Sequence, residues 1–424
     1  MIIDGCGNNL WVTRFGMTRF APHPQARTPK DDAMTIHLPA QPNRISLSRA
    51  AAARSSVTQG PPLDVAALLL AGGKGTRLEG LTASDSKPAV PFAGSNRIVD
   101  FAMANAVRSG VRRMLVATQY APRSLHHHLP TRWGQFFPQA GLMLRDGRER
   151  YLGTADAARQ TWPEIEAMGG DQVLILAADH VYDMDYGALL AAHRASGAAV
   201  TVAVDTVPRA EARGFGVMQA DDRGRILSFL EKPADPPGMI GQPDRAMVSM
   251  GIYVFDRAWL REALFDRPVE ALDFGHDVIP DAVARGMATV WQLPAGPSGD
   301  AYWRDVGTLD ALRRAQLDFV NSEPARLPFA CPASDWYLGR GSIAMPGAVV
   351  PESARLICTL VAPGAQVPAG LVTGENPDED ARWFTRTAAG TVLITQAMLD
   401  RRAAHAQIRR SVTPPLFNSR GLHA

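Results

Sequence analysis

The chain has few cysteines, no marked excess of either charge and no long hydrophobic run. Three cysteines (Cys6, Cys331 and Cys358) lie far apart and are odd in number, so they show neither a disulfide framework nor a C-x-x-C metal motif. This number and spacing of cysteines fits a protein of the reducing cytoplasm. The 44 Lys+Arg and 42 Asp+Glu leave a net charge of +2, which is too small to attract a nucleic-acid backbone by overall electrostatics. The longest apolar stretch, Val65 to Ala71, is far shorter than the roughly 20 residues that span a bilayer, and residues 1–30 lack the apolar core of a secretory signal. We therefore expect a cytoplasmic protein that binds neither nucleic acid nor membrane.

The 424 residues exceed the usual size of one domain and predict two, one of them large. Residues 1–60 mix Pro, Arg, Ser, Gln and Ala without periodicity. They predict either a disordered tail or sequence ahead of a true start at Met34. We expect a first domain over 61–323, a second over 324–412 and a closing tail over 413–424.

Short apolar runs alternate with helix-length amphipathic segments from Pro61 onward. The predicted strands are Val65–Leu70, Met114–Thr118, Val173–Ala177, Val200–Val204 and Gly251–Phe255, and the predicted helices are Arg97–Ser109, Ala155–Met168, Tyr186–Ser196 and Leu309–Asn321. This alternation is typical of βαβ units and predicts an α/β domain with a mostly parallel sheet. Ligands of such sheets bind beyond the carboxyl ends of the strands, so the loops there are the place to look for chemistry.

The helical pattern stops after Pro324, and short pieces rich in Val, Ile, Pro and Gly follow. The phrases Pro346-Gly-Ala-Val-Val-Pro351 and Pro363-Gly-Ala-Gln-Val-Pro368 recur 17 residues apart, close to one coil of a parallel β-helix. Two similar phrases are a weak indication of a repeat, and an irregular Pro/Gly-rich cap is the alternative.

The strongest local signal is the glycine-rich turn that follows the first strand. It contains Gly72, Gly73, Lys74, Gly75, Thr76 and Arg77. Glycine N–H groups can form an anion nest, and the two cations supply the charge-assisted hydrogen bonds that a polyphosphate demands. The turn fits neither Walker A nor the dinucleotide fingerprint, and an ordinary strand-to-helix turn is the alternative. Lys87, at short range, adds a third cation and favours the phosphate site.

This turn, together with Lys87-Pro88-Ala89-Val90, resembles the sugar-phosphate nucleotidyltransferases, and further phrases narrow the resemblance to the ADP-glucose pyrophosphorylase family. The phrases include Tyr151-Leu-Gly-Thr-Ala-Asp-Ala157, Ala178-Asp-His-Val-Tyr182, Phe229-Leu-Glu-Lys-Pro233, Tyr302-Trp-Arg-Asp-Val-Gly307 and Gly374-Glu-Asn-Pro-Asp-Glu-Asp-Ala-Arg-Trp-Phe384. The resemblance implies a Rossmann-like domain with a mixed, mostly parallel sheet and a short C-terminal left-handed parallel β-helix. It also implies adenylyl transfer from ATP to α-D-glucose 1-phosphate, giving ADP-glucose and pyrophosphate, the first committed step of bacterial glycogen or α-glucan synthesis, in a homotetramer.

The same resemblance implies roles for individual residues. Arg77, Lys87 and Asp179 are the expected catalytic residues, and Lys87 and the residues of the glycine-rich turn are expected to bind ATP. Asp179 directly follows a predicted strand, where an α/β sheet would present a ligand for Mg²⁺, and Asp305 is implied as the second ligand. The expected glucose 1-phosphate contacts are Tyr151, Gly216, Glu231, Lys232, Ser249, Asp273 and Trp303, with Phe274 beside the sugar ring.

The sequence departs from the family pattern at several positions. The family's Gln-rich segment is replaced by residues 142–150, which puts base recognition in doubt, and His276 and Ala178 replace a Lys and a Gly. Basic effector positions align with Ser84, Asp85, Pro363 and Gln396, and Arg97 is the one basic residue that still matches. Two alternatives stay open: an enzyme with another base or sugar phosphate, and a non-catalytic regulatory or sugar-nucleotide-sensing protein. His126-His127-His128 receive no role, because consecutive residues on a helix point in different directions and cannot share one metal. Arg112-Arg113 receive none either, because we expect this pair to be a solvated strand entrance.

Overall fold

The computed structural model describes residues 59–147, 151–266, 272–295, 301–321, 325–326 and 332–412. Nearly all of the predicted tail 1–60 and the whole of 413–424 lie outside the described residues. The strands of the larger part are β1 (Ala66–Ala71), β2 (Pro91–Phe92), β3 (Asn96–Arg97), β4 (Met114–Thr118), β5 (Leu142–Asp146), β6 (Gln172–Ala177), β7 (His180–Tyr182), β8 (Val200–Pro208), β9 (Gly216–Ala220), β10 (Ile226–Glu231), β11 (Arg245–Asp256), β12 (Ala288–Gln292) and β13 (Trp303–Asp305). The C-terminal strands are β14 (Tyr337–Gly339), β15 (Ser342–Ala344), β16 (Arg355–Leu356), β17 (Thr359–Val361), β18 (Val372–Thr373), β19 (Thr385–Arg386) and β20 (Val392–Ile394). The α-helices are α1 (Val99–Ser109), α2 (Arg123–Trp133), α3 (Thr154–Gln160), α4 (Trp162–Met168), α5 (Tyr186–Ser196), α6 (Arg257–Phe265), α7 (Ile279–Ala284), α8 (Leu309–Asn321), α9 (Pro377–Trp383) and α10 (Gln396–Val412).

A mixed sheet forms the centre of the larger part, as expected. Its strand order is β10-β9-β11-β6-β1-β4-β5, with β8 beside β11 and β12 beside β8. The pairs β6-β1, β1-β4, β4-β5 and β8-β12 are parallel, whereas β11 runs antiparallel to β6, β8 and β9. The parallel strands β1, β4 and β6 end at one edge, and the phosphate turn and Asp179 follow there. Hydrophobic side chains cover both faces of this sheet.

One predicted helix is two helices in the structure. The segment Ala155–Met168 is broken at Thr161, whose backbone (φ −104°, ψ 13°) leaves the helical region between α3 and α4. Pro163 in the first turn of α4 explains the break, because proline has no N–H to continue the hydrogen bonding of a preceding helix. Residues 142–146 of the altered loop form β5, an edge strand that the sequence did not indicate.

The C-terminal strands β14–β20 form the β-helix, and the alternative of an irregular cap is wrong. Ile343 pairs with Leu360, Val349 with Gln366 and Arg355 with Val372, all in parallel and all 17 residues apart. The spacing of the two repeated phrases is therefore the register of successive coils.

Two further features concern the cysteines and the cores. Cys358 is disulfide-bonded, so the expectation of no disulfide is wrong at this residue; proximity in space, not spacing along the chain, decides which cysteines can pair. The β-helix also shares a hydrophobic core with the larger part, in which Leu78 and Leu312 pack with Trp336 and Leu393.

Within the described part of the chain, no helix has both the length and the apolar character needed to span a membrane.

Candidate active site

The glycine-rich turn leaves β1 and enters a short 3₁₀ helix, Thr76–Thr82. Gly75 has a φ of +67°, and a Cβ there would lie 2.7 Å from Cβ of Lys87, so a side chain would collide with the lysine. The Lys87 N–H donates to the Gly73 carbonyl at 3.2 Å. The turn and Lys87 are thus one packed unit, as their spacing along the chain suggested.

Lys87 joins the two predicted metal carboxylates. Its side chain is 6% exposed, and its Nζ lies 3.0 Å from Oδ2 of Asp179 and 2.8 Å from Oδ1 of Asp305. Asp179 follows β6, and Asp305 ends β13, which pairs with β7 so that Asp305 lies opposite His180. The strand pairing therefore brings Lys87 together with Asp179, which is 92 positions away in the chain, and with Asp305, which is 218 positions away.

Both carboxyl groups are ionised in this arrangement. Burial by itself would raise the pKa of Asp179, but the electrostatic influence of His180 and Lys87 and the Lys87 hydrogen bond hold the pKa well below its usual range. For Asp305, burial is likewise outweighed by Lys87 and His180, and the pKa is lowered. Burial would lower the pKa of Lys87, yet the two aspartates raise it.

The donor chemistry of this pair fits a hard divalent cation. Two ionised carboxylates already share one cationic group, and magnesium is commonly held by one or two carboxylates plus phosphate oxygens and waters. Among the described residues, no group of three or more His, Cys, Asp or Glu side chains is placed to hold a metal. A site of two carboxylates therefore relies on the substrate for further ligands.

Arg77 lies beside the same carboxylates. A Cβ on Gly307 would be 2.8 Å from Nη2 of Arg77 and 3.0 Å from Oδ1 of Asp305. Gly307 thus leaves the space that the guanidinium occupies. Lys74 and Thr76 are exposed, and Nζ of Lys74 is 5.9 Å from the ring centroid of Tyr120.

A cavity of about 370 Å³ connects the phosphate turn with the predicted sugar residues. Its walls include Gly72, Gly73, Tyr151, Asp179, Asp273 and Phe274. The size suits a drug-sized ligand rather than a single ion. Residues predicted for both substrates therefore meet in one cavity.

Glu231 and Asp273 lie close together, with carboxylate oxygens 2.5 Å and 3.3 Å from where a Cβ on Gly275 would be. Oε2 of Glu231 would be 3.0 Å from a Cβ on Gly216 and 2.5 Å from one on Gly275, so both glycines admit the carboxylate. Nζ of Lys232 lies 2.5 Å from Oε1 of Glu231 and is mostly exposed. Asp273 accepts from Oγ1 of Thr154 at 2.8 Å, and this bond and backbone hydrogen bonds lower its pKa although burial opposes the shift.

Ser249 and Trp303, two of the predicted sugar contacts, are buried side chains. The Ser249 hydroxyl donates to the Tyr253 hydroxyl at 3.3 Å and is buried. Trp303 is 4% exposed and packs its ring against His180 and Phe215, at centroid distances of 5.1 and 5.4 Å. Trp303 is therefore a packed residue at the start of β13, the strand that ends in Asp305. Of the residues predicted for the sugar, the described cavity wall includes Tyr151, Asp273 and Phe274, and it does not include Gly216, Glu231, Lys232, Ser249 and Trp303.

Sequence reasoning missed Gln119 and Tyr253, which both line the cavity. Gln119 directly follows β4, and its Nε2 donates to the Tyr151 carbonyl at 3.0 Å. The rule that ligands bind beyond the carboxyl ends of parallel strands was sufficient to select Gln119. No comparable signal marks Tyr253, which lies within a long buried strand.

A second cavity of about 430 Å³ is lined by residues of both the larger part and the β-helix. All five positions aligned with effector contacts, Ser84, Asp85, Arg97, Pro363 and Gln396, line it. Arg97 Nη1 donates to Ser124 Oγ at 3.0 Å, and Ser124 Oγ donates to Asp85. The one matching cation is thus connected to a carboxylate through a serine.

The two clusters left without a role have separate structural partners. His126 Nε2 is 2.8 Å from Thr118 Oγ1, and His128 Nε2 is 2.7 Å from Asp100 Oδ1. Arg112 donates to the Gly60 carbonyl and Arg113 to Asp64. The histidines do point in different directions, but the arginines are hydrogen-bonded rather than simply solvated.

The fold and site define a nucleotidyl transferase with a hexapeptide-repeat unit. Residues 66–322 match the family model described as Nucleotidyl transferase, and residues 335–394 match one described as GlmU-like, C-terminal hexapeptide. A glucose-1-phosphate adenylyltransferase of Granulibacter bethesdensis is 41% identical, over 79% of this chain and 97% of the relative. Relatives of the same name from Jannaschia sp. and Bradyrhizobium diazoefficiens are each 40% identical, over 79% of this chain and 96% of each relative. The chain belongs to the glucose-1-phosphate adenylyltransferase family.

Proposed function

We propose that the chain transfers the adenylyl group of ATP to α-D-glucose 1-phosphate, giving ADP-glucose and pyrophosphate. The observation that carries this proposal is the single cavity shared by the phosphate turn, Asp179 and Asp273. The names of the relatives support the choice of substrates. The proposal includes Mg²⁺, a cytoplasmic location and a homotetramer, which the family resemblance implies.

The reaction joins two anions, so the chain's own cations have the main catalytic task. A phosphate oxygen of glucose 1-phosphate attacks the α-phosphorus of ATP, and the bond from that phosphorus to the β-phosphate oxygen breaks in line. In this proposal Arg77 and Lys87 offset the charge of the triphosphate, and Lys232 offsets that of the sugar phosphate. The position of Arg77 and Lys87 beside Asp179 and Asp305 supports the first of these roles. Magnesium held by Asp179 and Asp305 would add a further positive charge on the triphosphate.

Gln119 supports adenine as the base. Its Nε2 donates to the Tyr151 carbonyl at 3.0 Å, and its Oε1 lies 3.5 Å from where a Cβ on Gly72 would be. We infer that this bond orients the amide so that Oε1 accepts from the base. An acceptor suits the exocyclic amino group of adenine, or that of cytosine, and not the carbonyl oxygen that guanine carries in place of the adenine amino group. Gln119 thus supplies an amide for base recognition that the altered segment 142–150 lacks.

The purified chain incubated with glucose 1-phosphate, Mg²⁺ and each of ATP, GTP, CTP, UTP and dTTP tests the proposal. We expect pyrophosphate release with ATP to exceed that with every other triphosphate. A preference for another triphosphate would establish the alternative base. Tight ATP binding without pyrophosphate release at any magnesium concentration would establish the sensor instead.

Lys232→Gln should raise the KM for glucose 1-phosphate by about tenfold or more while changing the KM for ATP little, because a charge-assisted contact is worth about 1.5–3 kcal/mol. Lys74→Gln is the matched control, since it makes the same change at the proposed ATP end and should raise the KM for ATP instead. Initial-rate kinetics of both variants give the comparison. If Lys232→Gln raises mainly the KM for ATP, the two ends of the site are exchanged.

Fructose 1,6-bisphosphate or AMP at millimolar concentration should change activity at sub-saturating ATP by less than about threefold, below the typical range of roughly 5–150-fold for allosteric couplings. Both ligands are multiply charged anions, and Asp85 lines the second cavity at a position that the family resemblance aligns with a basic effector contact. A reproducible tenfold activation would contradict our alignment of the effector positions.

A further inference from the structure

The β-helix is tied to the larger part by a buried arginine. Arg313 lies in the middle of α8 and is 3% exposed. Its Nε donates to Oγ1 of Thr391 at 3.0 Å, and its Nη1 donates to the Gly341 carbonyl at 3.3 Å. Both acceptors belong to the β-helix. Earlier in α8, Asp310 accepts from Oγ1 of Thr387 at 2.8 Å, so the helix is fastened to the β-helix at two points.

The other end of α8 holds the strand of Asp305. Oδ2 of Asp318 accepts from the Tyr302 hydroxyl at 3.0 Å and from Nε of Arg304 at 3.2 Å. The Arg304 guanidinium also lies 4.9 Å from the ring centroid of Tyr302. Arg304 immediately precedes Asp305, so a displacement of α8 would be transmitted directly to the proposed metal carboxylate.

The buried guanidinium of Arg313 favours one position of α8 against the β-helix. Burying a charged group costs free energy unless its N–H groups are hydrogen-bonded, and the bonds of Arg313 to Thr391 and Gly341 form only when α8 lies against the β-helix. Asp305 in turn must stay within hydrogen-bond distance of Lys87, 2.8 Å away. A misplacement of about 1 Å in an active site can cost about 10²-fold in rate, so the seating of α8 has catalytic consequences.

We propose that Arg313 is a positioning residue through which the β-helix, by way of α8 and Asp318, fixes Asp305 in the active site. The kinetic part of this inference rests on the proposed function, whereas its structural part does not. Arg313 contacts no residue that lines the catalytic cavity in any of its hydrogen bonds given above. Its effect would therefore be indirect.

The experiment compares Arg313→Met with Arg314→Met in the full chain. Arg314 is the next residue of α8 and is exposed, so the control makes the same change without disturbing a buried contact. Hydrogen–deuterium exchange should be about tenfold faster in β13 and β7 of Arg313→Met, and unchanged in β9 and β10 and in the control, because only local opening becomes easier. For ADP-glucose synthesis, kcat should fall about tenfold and the Mg²⁺ concentration for half-maximal rate should rise, with the KM for glucose 1-phosphate within about twofold of the original.

Unchanged exchange in β13 of a folded Arg313→Met variant, or a uniform increase over the whole chain, would overturn the proposal and leave Arg313 a purely stabilising role. If Arg313→Met does not fold, Asp318→Asn tests the second link, with the same expected rise in β13 exchange and the same opposing result. Absence of pyrophosphate release from the original protein would refute the proposed function but leave the exchange comparison valid. The two failures are therefore distinguishable.

Discussion

Asp179→Asn should lower the turnover number for ADP-glucose synthesis by about 10³-fold or more while leaving the fold intact. The amide keeps the shape of the side chain but removes the negative charge that lies 3.0 Å from Lys87 and that would hold a divalent cation on the triphosphate. Pyrophosphate release measured over a range of magnesium concentrations checks the expectation, and circular dichroism checks the fold.

Asp185→Asn is the control for that variant. Asp185 caps α5 by accepting from the Gly187 N–H at 2.8 Å, and Asn caps helices about as well as Asp. Its activity and melting temperature should match those of the original protein. Full activity of Asp179→Asn would remove Asp179 from the proposed metal site.

Lys87→Met should reduce both turnover and stability. Loss of the ammonium leaves the carboxylates of Asp179 and Asp305 close together without a common partner, and breaking a buried ion pair costs about 3–5 kcal/mol. Because Asp179 and Asp305 retain some solvent exposure, we expect the free energy of unfolding to fall by about 2–3 kcal/mol at neutral pH. Denaturant titration with far-UV circular dichroism gives this quantity.

The pH dependence of that loss follows from the lowered pKa values of the two aspartates. A lowered carboxyl pKa stabilises the fold above the unfolded value of about 4, and this contribution is lost as the pH falls through the folded value. The difference in the free energy of unfolding between the original protein and Lys87→Met should therefore shrink in acid.

Added Mg²⁺ should raise the melting temperature of Lys87→Met more than that of the exposed-lysine control Lys74→Met. Equal stability of the original protein and Lys87→Met at pH 7 would show that the carboxylates do not depend on Lys87.

Much of the fold could be predicted from the sequence because local periodicity is strong there. β4, α5 and α8 have the predicted bounds, and the 17-residue repeat predicted the register of the β-helix. The break at Thr161 and the strand β5 were missed. Pro163 was a visible signal for the break, whereas β5 is a short, half-buried edge strand whose formation depends on pairing with β4.

The sequence by itself determined the identity of the charged residues and the turn that presents some of them. Gly75, Arg77 and Lys87 lie close along the chain, so local conformation is enough to group them. The tertiary structure alone decided that Lys87 lies between Asp179 and Asp305, that Trp303 supports a strand instead of lining the cavity, and that Gln119 faces it. These outcomes depend on contacts between distant segments, made by the pairing of β7 with β13 and by the packing of α8 against α1, β2 and the β-helix. A residue's type limits the chemistry it can perform, but packing across the whole chain fixes which other groups it meets.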